Sequence, residues 1–342
     1  MNKRIRTRAL LLLILLISRT VDAQKPAQGT TDDERLQFLI AAYDGNRNRF
    51  TEFSARFRVV KGSAESDEGA IAGRIDARVR MQGIWCVNGD QVRYELRCED
   101  PRDNAIPKYR PEDRKAGAKS KKGNCDSIRI LGDGALGVNY STGLEAASFS
   151  ASRGAKPQIF YSPFSMAVMG YNEEYGPTAP LLPEMSREAD SIVGDVGATY
   201  DVIRVKRKHS TGDVSVREWW LDPNRGYLPV EMRYYENSAL ELRAVATRVR
   251  KVENAGFVPI RSVTVSMTGA LRSVTEISVD EFVSGPPDSD DMQISLPAGT
   301  LLFDPEKRKK RFRLRDAEVV NVADLAEWYQ RFDLPAPIRP QP

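Results

Sequence analysis

The chain has 342 residues, with 51 Lys or Arg against 47 Asp or Glu and a formal net charge of +4 at pH 7. Five of the basic residues and one of the acidic residues lie within residues 1–23, so the rest of the chain is electrically balanced. A balanced chain lacks the global positive field that attracts nucleic acid or anionic membrane, and any such contact would need a local patch.

Residues 1–23 have the pattern of a signal peptide. The basic stretch MNKRIRTR precedes the apolar run Ala9 to Ser18, and Val21-Asp22-Ala23 fits a cleavage site before Gln24. The apolar run is shorter than the roughly 20 residues that a membrane-spanning helix needs. We therefore expect export to the periplasm or cell envelope, with residues 24–30 as a linker. A fully extracellular protein or a retained N-terminal anchor are the alternatives.

The chain has three cysteines, which in an exported protein indicate one disulfide and one free thiol. Cys98 lies on the apolar face of a predicted strand, and Cys125 opens the next strand pattern. A Cys98–Cys125 bridge would close the base of the 99–124 excursion, and this is the pairing that we favour. Pairing of Cys86 with either partner remains open.

The first element after the linker is a predicted helix of roughly three turns. Thr31 and Glu34 form a capping box, and apolar residues follow at helical spacing. Gly45 is the predicted stop. The apolar positions are Leu36, Leu39, Ile40 and Tyr43.

The period then changes to two, which is typical of strands with one buried and one wet face. Phe53, Ala55, Phe57 and Val59 alternate with polar residues, and Asn88-Gly89-Asp90 is a strong hairpin signal. Six further strand patterns are joined by short turns, which predicts an antiparallel meander. They are 200–207, 213–221, 228–236, 240–251, 257–268 and 271–283. About ten or eleven strands result, enough for a curved sheet or a partial barrel.

Two segments interrupt this pattern within the predicted domain, residues 31–304. Residues 101–124 are basic and without period, which predicts a long loop. Residues 156–192 are predicted to form short helices broken by proline. Residues 305–342 are predicted to hold a basic segment, a short helix at 322–332 and a Pro-rich tail.

Catalytic patterns are scarce. The single histidine, His209, lies in a predicted turn, and the sequence contains no nucleophile elbow, P-loop or zinc motif. We predict no metal and no cofactor. Carboxylates alone can cleave glycosides, so a hydrolase that uses two of them is a third hypothesis. The candidate acids are Glu173, Glu174, Asp288, Asp290 and Asp291.

Two basic clusters are interpreted as solvated loops or as peripheral contacts with anionic lipid headgroups. Apart from Phe312, neither has the interleaved aromatic side chains that stack on bases, so nucleic-acid binding is not expected. The first cluster is Arg114, Lys115, Lys119, Lys121 and Lys122; the second is Lys307, Arg308, Lys309, Lys310, Arg311 and Arg313.

Large apolar side chains suggest a binding cavity. Trp219 and Trp220 are adjacent, so in a strand they point to opposite faces, as in a curved sheet with helices on its concave side. The helical insert is rich in Met and aromatic residues, which adapt to irregular apolar shapes. The predicted cavity residues are Trp219, Trp220, Phe160, Phe164, Met166, Met169 and Tyr171. Alternatively, the insert residues, Tyr161 included, only fill the core.

The order of segments resembles the periplasmic outer-membrane lipoprotein-sorting (LolA/LolB-like) carrier superfamily. The likeness spans most of residues 33–304 and is carried by "LIAAYDGNRNRFTEFSARFRVV", "GIWCVNGDQVRYEL", "ILGDGALGVNY", "REWWLDPNRGYLPVEMRYYE", "ENAGFVPIRSVTV" and "ISLPAGTLLFD". It implies a mainly β fold with a few helices: an incomplete, half-open antiparallel β-barrel whose helices cover a concave face that holds acyl chains. The 101–124 excursion, the tail and the cysteines depart from the pattern.

These observations lead to two hypotheses of different kinds. The first is an exported non-enzymatic carrier or binding protein for a lipid, an acyl chain or a lipoprotein. The alternative is a structural or interaction protein of the cell envelope that binds a protein partner through its sheet and basic loops.

Overall fold

The structure of the protein is a computed structural model, and it describes residues 32–47, 50–99, 127–133, 136–150, 191–196, 199–267, 272–303 and 311–331. Three helices occur in these ranges: α1 (Asp32–Arg47), α2 (Asp67–Ile71) and α3 (Leu325–Gln330). The strands of the first half are β1 (Glu52–Ala64), β2 (Asp76–Asn88), β3 (Gln91–Cys98), β4 (Ile128–Gly132), β5 (Gly137–Ser141) and β6 (Ala146–Ser150). The central strands are β7 (Ser191–Val196), β8 (Asp201–Lys208), β9 (Val214–Asp222), β10 (Leu228–Glu236), β11 (Ala239–Val252), β12 (Gly256–Ser266) and β13 (Arg272–Ser284). The last strands are β14 (Gln293–Leu296), β15 (Leu301–Phe303), β16 (Arg311–Arg313) and β17 (Glu318–Asn321).

Within these ranges, fifteen strands form one sheet in the order β16-β15-β6-β5-β4-β3-β2-β1-β13-β12-β11-β10-β9-β8-β7. Neighbouring strands are antiparallel, except that β15 runs parallel to β6. The predictions of a mainly β chain and of an antiparallel meander that does not close into a barrel are confirmed. The strands outnumber the ten or eleven predicted, because short strands such as β5 and β15 have too few residues for a clear alternation.

The sheet has an inner, concave face. Alternate residues of β1 to β4 point to this face and form one apolar cluster, which includes Phe53, Trp85 and Ile130. Ala255 and Val258, from the end of the β11–β12 hairpin, lie in the same cluster. Since strands on both sides of β13 meet there, the sheet curves around this face.

Helix α1 packs on the concave face near the β7 end of the sheet. Leu39 and Tyr43 are buried in a cluster with Ile203 and Trp219, so the predicted helical face is the one that packs. The helix continues past the predicted stop at Gly45 to Arg47. Gly194 of β7 permits this close approach, because a Cβ there would lie 3.2 Å from Leu39 Cδ1.

The opposite, convex face is covered at the other end of the sheet. Strands β14 and β17 pair with each other and, with Trp328 of α3, pack on Leu131 and Phe149. Residues 311–331 therefore belong to the same folded unit as the sheet. The helix predicted at 322–332 consists of a 3₁₀ turn, Val322–Asp324, followed by α3. Helix α2 covers Val263 and Val265 on the same convex face.

The close contact between Phe57 and Gly83 gives a first testable prediction. These residues are opposite each other in β1 and β2, and a Cβ at position 83 would lie 2.2 Å from Phe57 Cζ. Phe57 is 1% exposed, so its ring cannot move aside into solvent. We expect Gly83→Ala to lower the free energy of unfolding by about 1–3 kcal/mol, measured by denaturant titration.

The matched control is Gly45→Ala in α1, where no atom lies within 4 Å of the added Cβ. It should raise stability by up to about 1 kcal/mol, because alanine favours helix more than glycine does. Equal effects of the two substitutions would contradict the packing described for Phe57.

Candidate functional site

The concave face is apolar across most of the width of the sheet. The strand register places Trp219 of β9 opposite Ile203 of β8 and Met232 of β10, and places Met232 opposite Ala244 of β11. On the other side of β13 the same face continues through the aromatic cluster of β1 to β3. The concave face thus carries two apolar clusters, one around Phe53 and one around Trp219, with Ser262 and Thr264 of β12 between them.

The described part of this face is closed by its own side chains. Phe53 contacts Trp85 edge-on, with ring centroids 5.0 Å apart, and stacks on Phe282 at 5.6 Å. Tyr94 and Trp85 are at most 1% exposed. The apolar space predicted from the sequence is therefore filled at this place by an aromatic core.

The two adjacent tryptophans point to opposite faces, as strand alternation requires. Trp219 is 1% exposed, and its indole N–H has no hydrogen-bond partner in the described part of the chain. Trp220 is on the convex face, where Arg233 lies 4.3 Å from its ring centroid and Tyr200 meets it edge-on. Of these two predicted cavity residues, only Trp219 faces the concave side.

The other predicted cavity residues, Phe160, Phe164, Met166, Met169 and Tyr171, lie outside the described residues. So do Tyr161, the 101–124 excursion and the basic residues 307–310. Two residues at the end of the predicted helical insert, Ser191 and Ile192, begin strand β7 instead.

The convex face carries a buried carboxylate that sequence reasoning missed. Glu95 is 3% exposed and accepts paired hydrogen bonds from Arg93 and Arg97, the shortest being 2.7 and 2.6 Å. Burial by itself would raise the pKa of Glu95, but attraction to the two guanidinium groups and their hydrogen bonds lower it on balance. Arg129 approaches the same carboxylate to 3.9 Å.

This ionic cluster also holds the segment that covers the convex face. Arg93 donates to the carbonyl of Asp291 at 2.8 Å, and Arg129 donates to the carbonyl of Ser295. The alternation Arg93, Glu95, Arg97 in β3 is a visible signal of a charged face. It predicts solvent exposure, however, because the sequence gives no sign that residues 289–296 fold back over it.

A polar groove of about 400 Å³ lies beside this cluster on the convex face. Its walls include Arg56, Glu281, Asp288 and Asp291, and Cys86 lies in its lining. Cys86 is a free thiol whose pKa is raised to about 11 by burial.

Of the candidate catalytic residues that the structure describes, Asp288 and Asp291 both line the polar groove, whereas His209 lies elsewhere. Asp288 and Asp290 are exposed on the loop before β14, while Glu173 and Glu174 lie outside the described residues. His209 Nε2 is 3.0 Å from Ser215 Oγ, but the neighbouring Asp213 is engaged by Thr211 and Asn237. These contacts close a turn. Across the described ranges, no group of three or more His, Cys, Asp or Glu residues is placed to hold a metal ion.

Comparisons with known proteins find similarity only at the level of solved structures. No family model matches the chain, and no curated protein matches it. A domain from Vibrio parahaemolyticus described as a putative outer membrane lipoprotein-sorting protein domain is 11% identical, with a TM-score of 0.42. The similarity covers 75% of this chain and 97% of that domain. A DUF1329 family protein from Desulfovibrio piger is 11% identical, with a TM-score of 0.44, and the similarity covers 76% of this chain and 96% of that protein.

LprF from Mycobacterium bovis is 8% identical, with a TM-score of 0.24, and the similarity covers 76% of this chain and 97% of LprF. Among the described helices, none is long and apolar enough to span a membrane.

The lowered pKa of Glu95 predicts a pH-dependent contribution to stability. A carboxylate whose folded pKa is depressed stabilises the fold above its unfolded pKa of about 4.3, and this contribution is lost as pH falls through the folded pKa. We expect Glu95→Gln to cost about 3 kcal/mol at pH 7, because it leaves buried guanidinium groups unpaired. The difference from wild type should shrink below about pH 4 in denaturant titrations.

The control is Glu281→Gln on the same face. Glu281 and its partner Arg56 are 59% and 68% exposed, so the loss should stay below about 1 kcal/mol. A pH-independent difference between wild type and Glu95→Gln would show that Glu95 acts through shape alone.

The cysteines give a chemical prediction. Cys98 is disulfide-bonded and Cys86 is free, so the alternatives that paired Cys86 are wrong. Cys125 lies outside the described residues, and its pairing with Cys98 stays a prediction. We expect a non-reducing digest to yield a linked Cys98–Cys125 peptide.

The same protein should show no reaction of Cys86 with Ellman's reagent until denatured, because a pKa of about 11 leaves about one thiolate per thousand at pH 8. A disulfide-linked peptide that contains Cys86, or rapid labelling of the native protein, would contradict this assignment.

Proposed function

We propose that this chain is an exported, non-catalytic binding protein that holds the acyl chain of a lipid or lipoprotein against the concave face of its sheet. The observation that carries the proposal is the difference between the two faces. The concave face carries two large apolar clusters, around Phe53 and around Trp219, whereas the convex face carries ion pairs such as Arg93–Glu95 and Arg204–Glu218.

An acyl chain suits such a face because it needs no polar partner. Burial of each CH₂ contributes about 0.8 kcal/mol, so roughly a dozen carbons supply about 10 kcal/mol before the costs of association. Part of this free energy is spent on displacing the contacts that the guest-free face makes with itself. No catalytic group is required.

The guest-binding region would include Trp219 and the predicted cavity residues of the 156–192 segment. The sheet is not closed into a barrel, so a guest reaches the concave face without separating paired strands. Residues 1–23 support export to the periplasm or envelope, and the basic residues of the 101–124 loop would meet lipid headgroups.

A second candidate is an envelope protein that binds a protein partner through its convex face. The filled aromatic core around Phe53 favours it, since a face that is already packed has less need of a guest. In-cell crosslinking separates the two candidates: a single stable protein partner, with no lipid on the purified protein, supports the second.

The acyl-binding proposal is tested with the mature chain, residues 24–342. Native mass spectrometry should show co-purified lipid, and the delipidated protein should bind a fluorescent fatty acid. Trp219→Leu should weaken that binding at least tenfold, because Trp219 faces the concave side. Trp220→Leu is the matched control, an identical change one residue along on the other face, and should shift the affinity less than twofold.

Each variant is first checked for a cooperative thermal transition. If Trp219→Leu does not fold, quenching of tryptophan fluorescence by a brominated fatty acid is measured instead. The quenched fraction should be larger in Trp220→Phe than in the wild-type chain, because this variant has lost a tryptophan that is remote from the guest. Absence of both lipid and probe binding in the wild-type chain would end the proposal.

A further inference from the structure

The β11–β12 hairpin is longer than the strands beside it. In the described ranges, β10 pairs with β11 only as far as Val245, and β13 pairs with β12 only from Arg261 onward. Residues 248–259, called here the distal hairpin, have no third strand beside them in the part of the chain that the structure describes. A two-stranded ribbon is marginally stable by itself, so the distal hairpin depends on its side-chain contacts.

The distal hairpin is bent at its base. The register of β11 and β12 shifts twice, between Ala246 and Arg248 and again between Arg248 and Val249, which leaves Thr247 and Ile260 as extra residues on the two strands. Pro259, the residue before Ile260 on β12, has no N–H to donate to the ladder. Bulges of this kind bend a strand and interrupt its pairing.

Arg261 holds the bend in place. Its guanidinium donates to Thr247 Oγ1 at 3.1 Å, to the carbonyl of Ile71 at 3.2 Å and to Glu276 at 2.5 Å. The Thr247 hydroxyl donates to the carbonyl of Arg261 at 3.3 Å. The base of the hairpin is thus fixed to α2 and β13, whereas these hydrogen bonds do not hold the distal hairpin.

The bend lays the distal hairpin over the aromatic core of the concave face. Ala255 and Val258 are 1% and 0% exposed, in the same cluster as Phe53 and Trp85. The charged residues of the distal hairpin, Arg248, Arg250, Lys251 and Glu253, are instead exposed, and in the described part of the chain they form no ion pair with another element. Apolar contacts with the core are therefore what keeps the hairpin down.

We propose that the distal hairpin is a flap that swings about the bulges at Thr247 and Ile260 to admit an acyl guest to the concave face. This inference rests on the proposed function and specifies how access to that site is controlled. When the flap lifts, Ala255 and Val258 leave the core, and the guest takes over the apolar contacts that they made. With the flap closed, the protein's own side chains fill the core.

Hydrogen exchange and binding kinetics test the flap together. In the delipidated mature protein, backbone amides of residues 248–258 should exchange at least tenfold faster than those of residues 240–245 of the same hairpin. Thr247→Val, which removes the hydroxyl bonded to Arg261, should speed exchange of the distal hairpin severalfold. It should also raise the stopped-flow association rate of a fluorescent fatty acid by a similar factor.

The matched control is Thr211→Val, the same change in the β8–β9 turn, where the exposed hydroxyl that is removed donates to Asp213 at 2.7 Å. It should alter neither rate. Equal protection of the distal and proximal amides, or faster exchange in Thr247→Val with an unchanged association rate, overturns the flap. Absence of probe binding by the wild-type chain overturns the proposed function itself, whereas binding at equal rates in both variants overturns only the gate.

Discussion

The packing of Phe53 against Trp85 and Phe282 is the constraint on which the rest of the structure depends. These three rings come from β1, β2 and β13, three neighbouring strands of the sheet, and their side chains fill the inside of its bend. A flat sheet would leave the rings exposed to water on one side. Curvature lets the β11–β12 hairpin reach the same rings from the far side of β13, so the fold closes over its own aromatic core.

The curvature makes opposite demands on the two faces. On the concave side, residues from distant strands converge and can exclude water, and that side carries the aromatic core. On the convex side they diverge, and charged residues can pair along the strands, as Arg204 does with Glu218. Where the convex face is nevertheless buried, beneath residues 289–296, the carboxylate of Glu95 has two arginine partners, which offset the cost of removing it from water.

Sequence periodicity was sufficient for the parts of the fold that rest on local pattern. The alternation of Phe53 to Val59, the hairpin turn at Gly89 and the apolar stripe of α1 each depend on neighbours within a few residues, and the structure contains all three. The opposite orientation of Trp219 and Trp220 follows from the same local rule. Thirteen-residue strands such as β1 carry enough alternation to be recognised, whereas three-residue strands such as β15 and β16 do not.

The features that the sequence did not predict all depend on contacts between distant residues. The cover over Glu95 comes from residues about 200 positions away, such as Asp291. The bend of the β11–β12 hairpin depends on which neighbouring strand ends first. Pro259 within a strand pattern was a local hint of that bend, because proline cannot continue a ladder. The predicted cavity could not be separated from a filled core, since periodicity reports which face is buried and not what buries it.

A filled concave face is compatible with carriage of a guest, because a carrier must also release it. A preformed empty cavity would give an acyl chain of a dozen carbons most of its roughly 10 kcal/mol of burial, and release would then be slow. A face that packs against itself when empty returns part of that free energy when the guest leaves, as Ala255 and Val258 settle back onto the aromatic core. A net binding free energy near 8 kcal/mol corresponds to a micromolar dissociation constant, which suits transfer between sites better than it suits storage. Under the proposed function, the side chains that close the core compete with the guest and thereby lower its affinity.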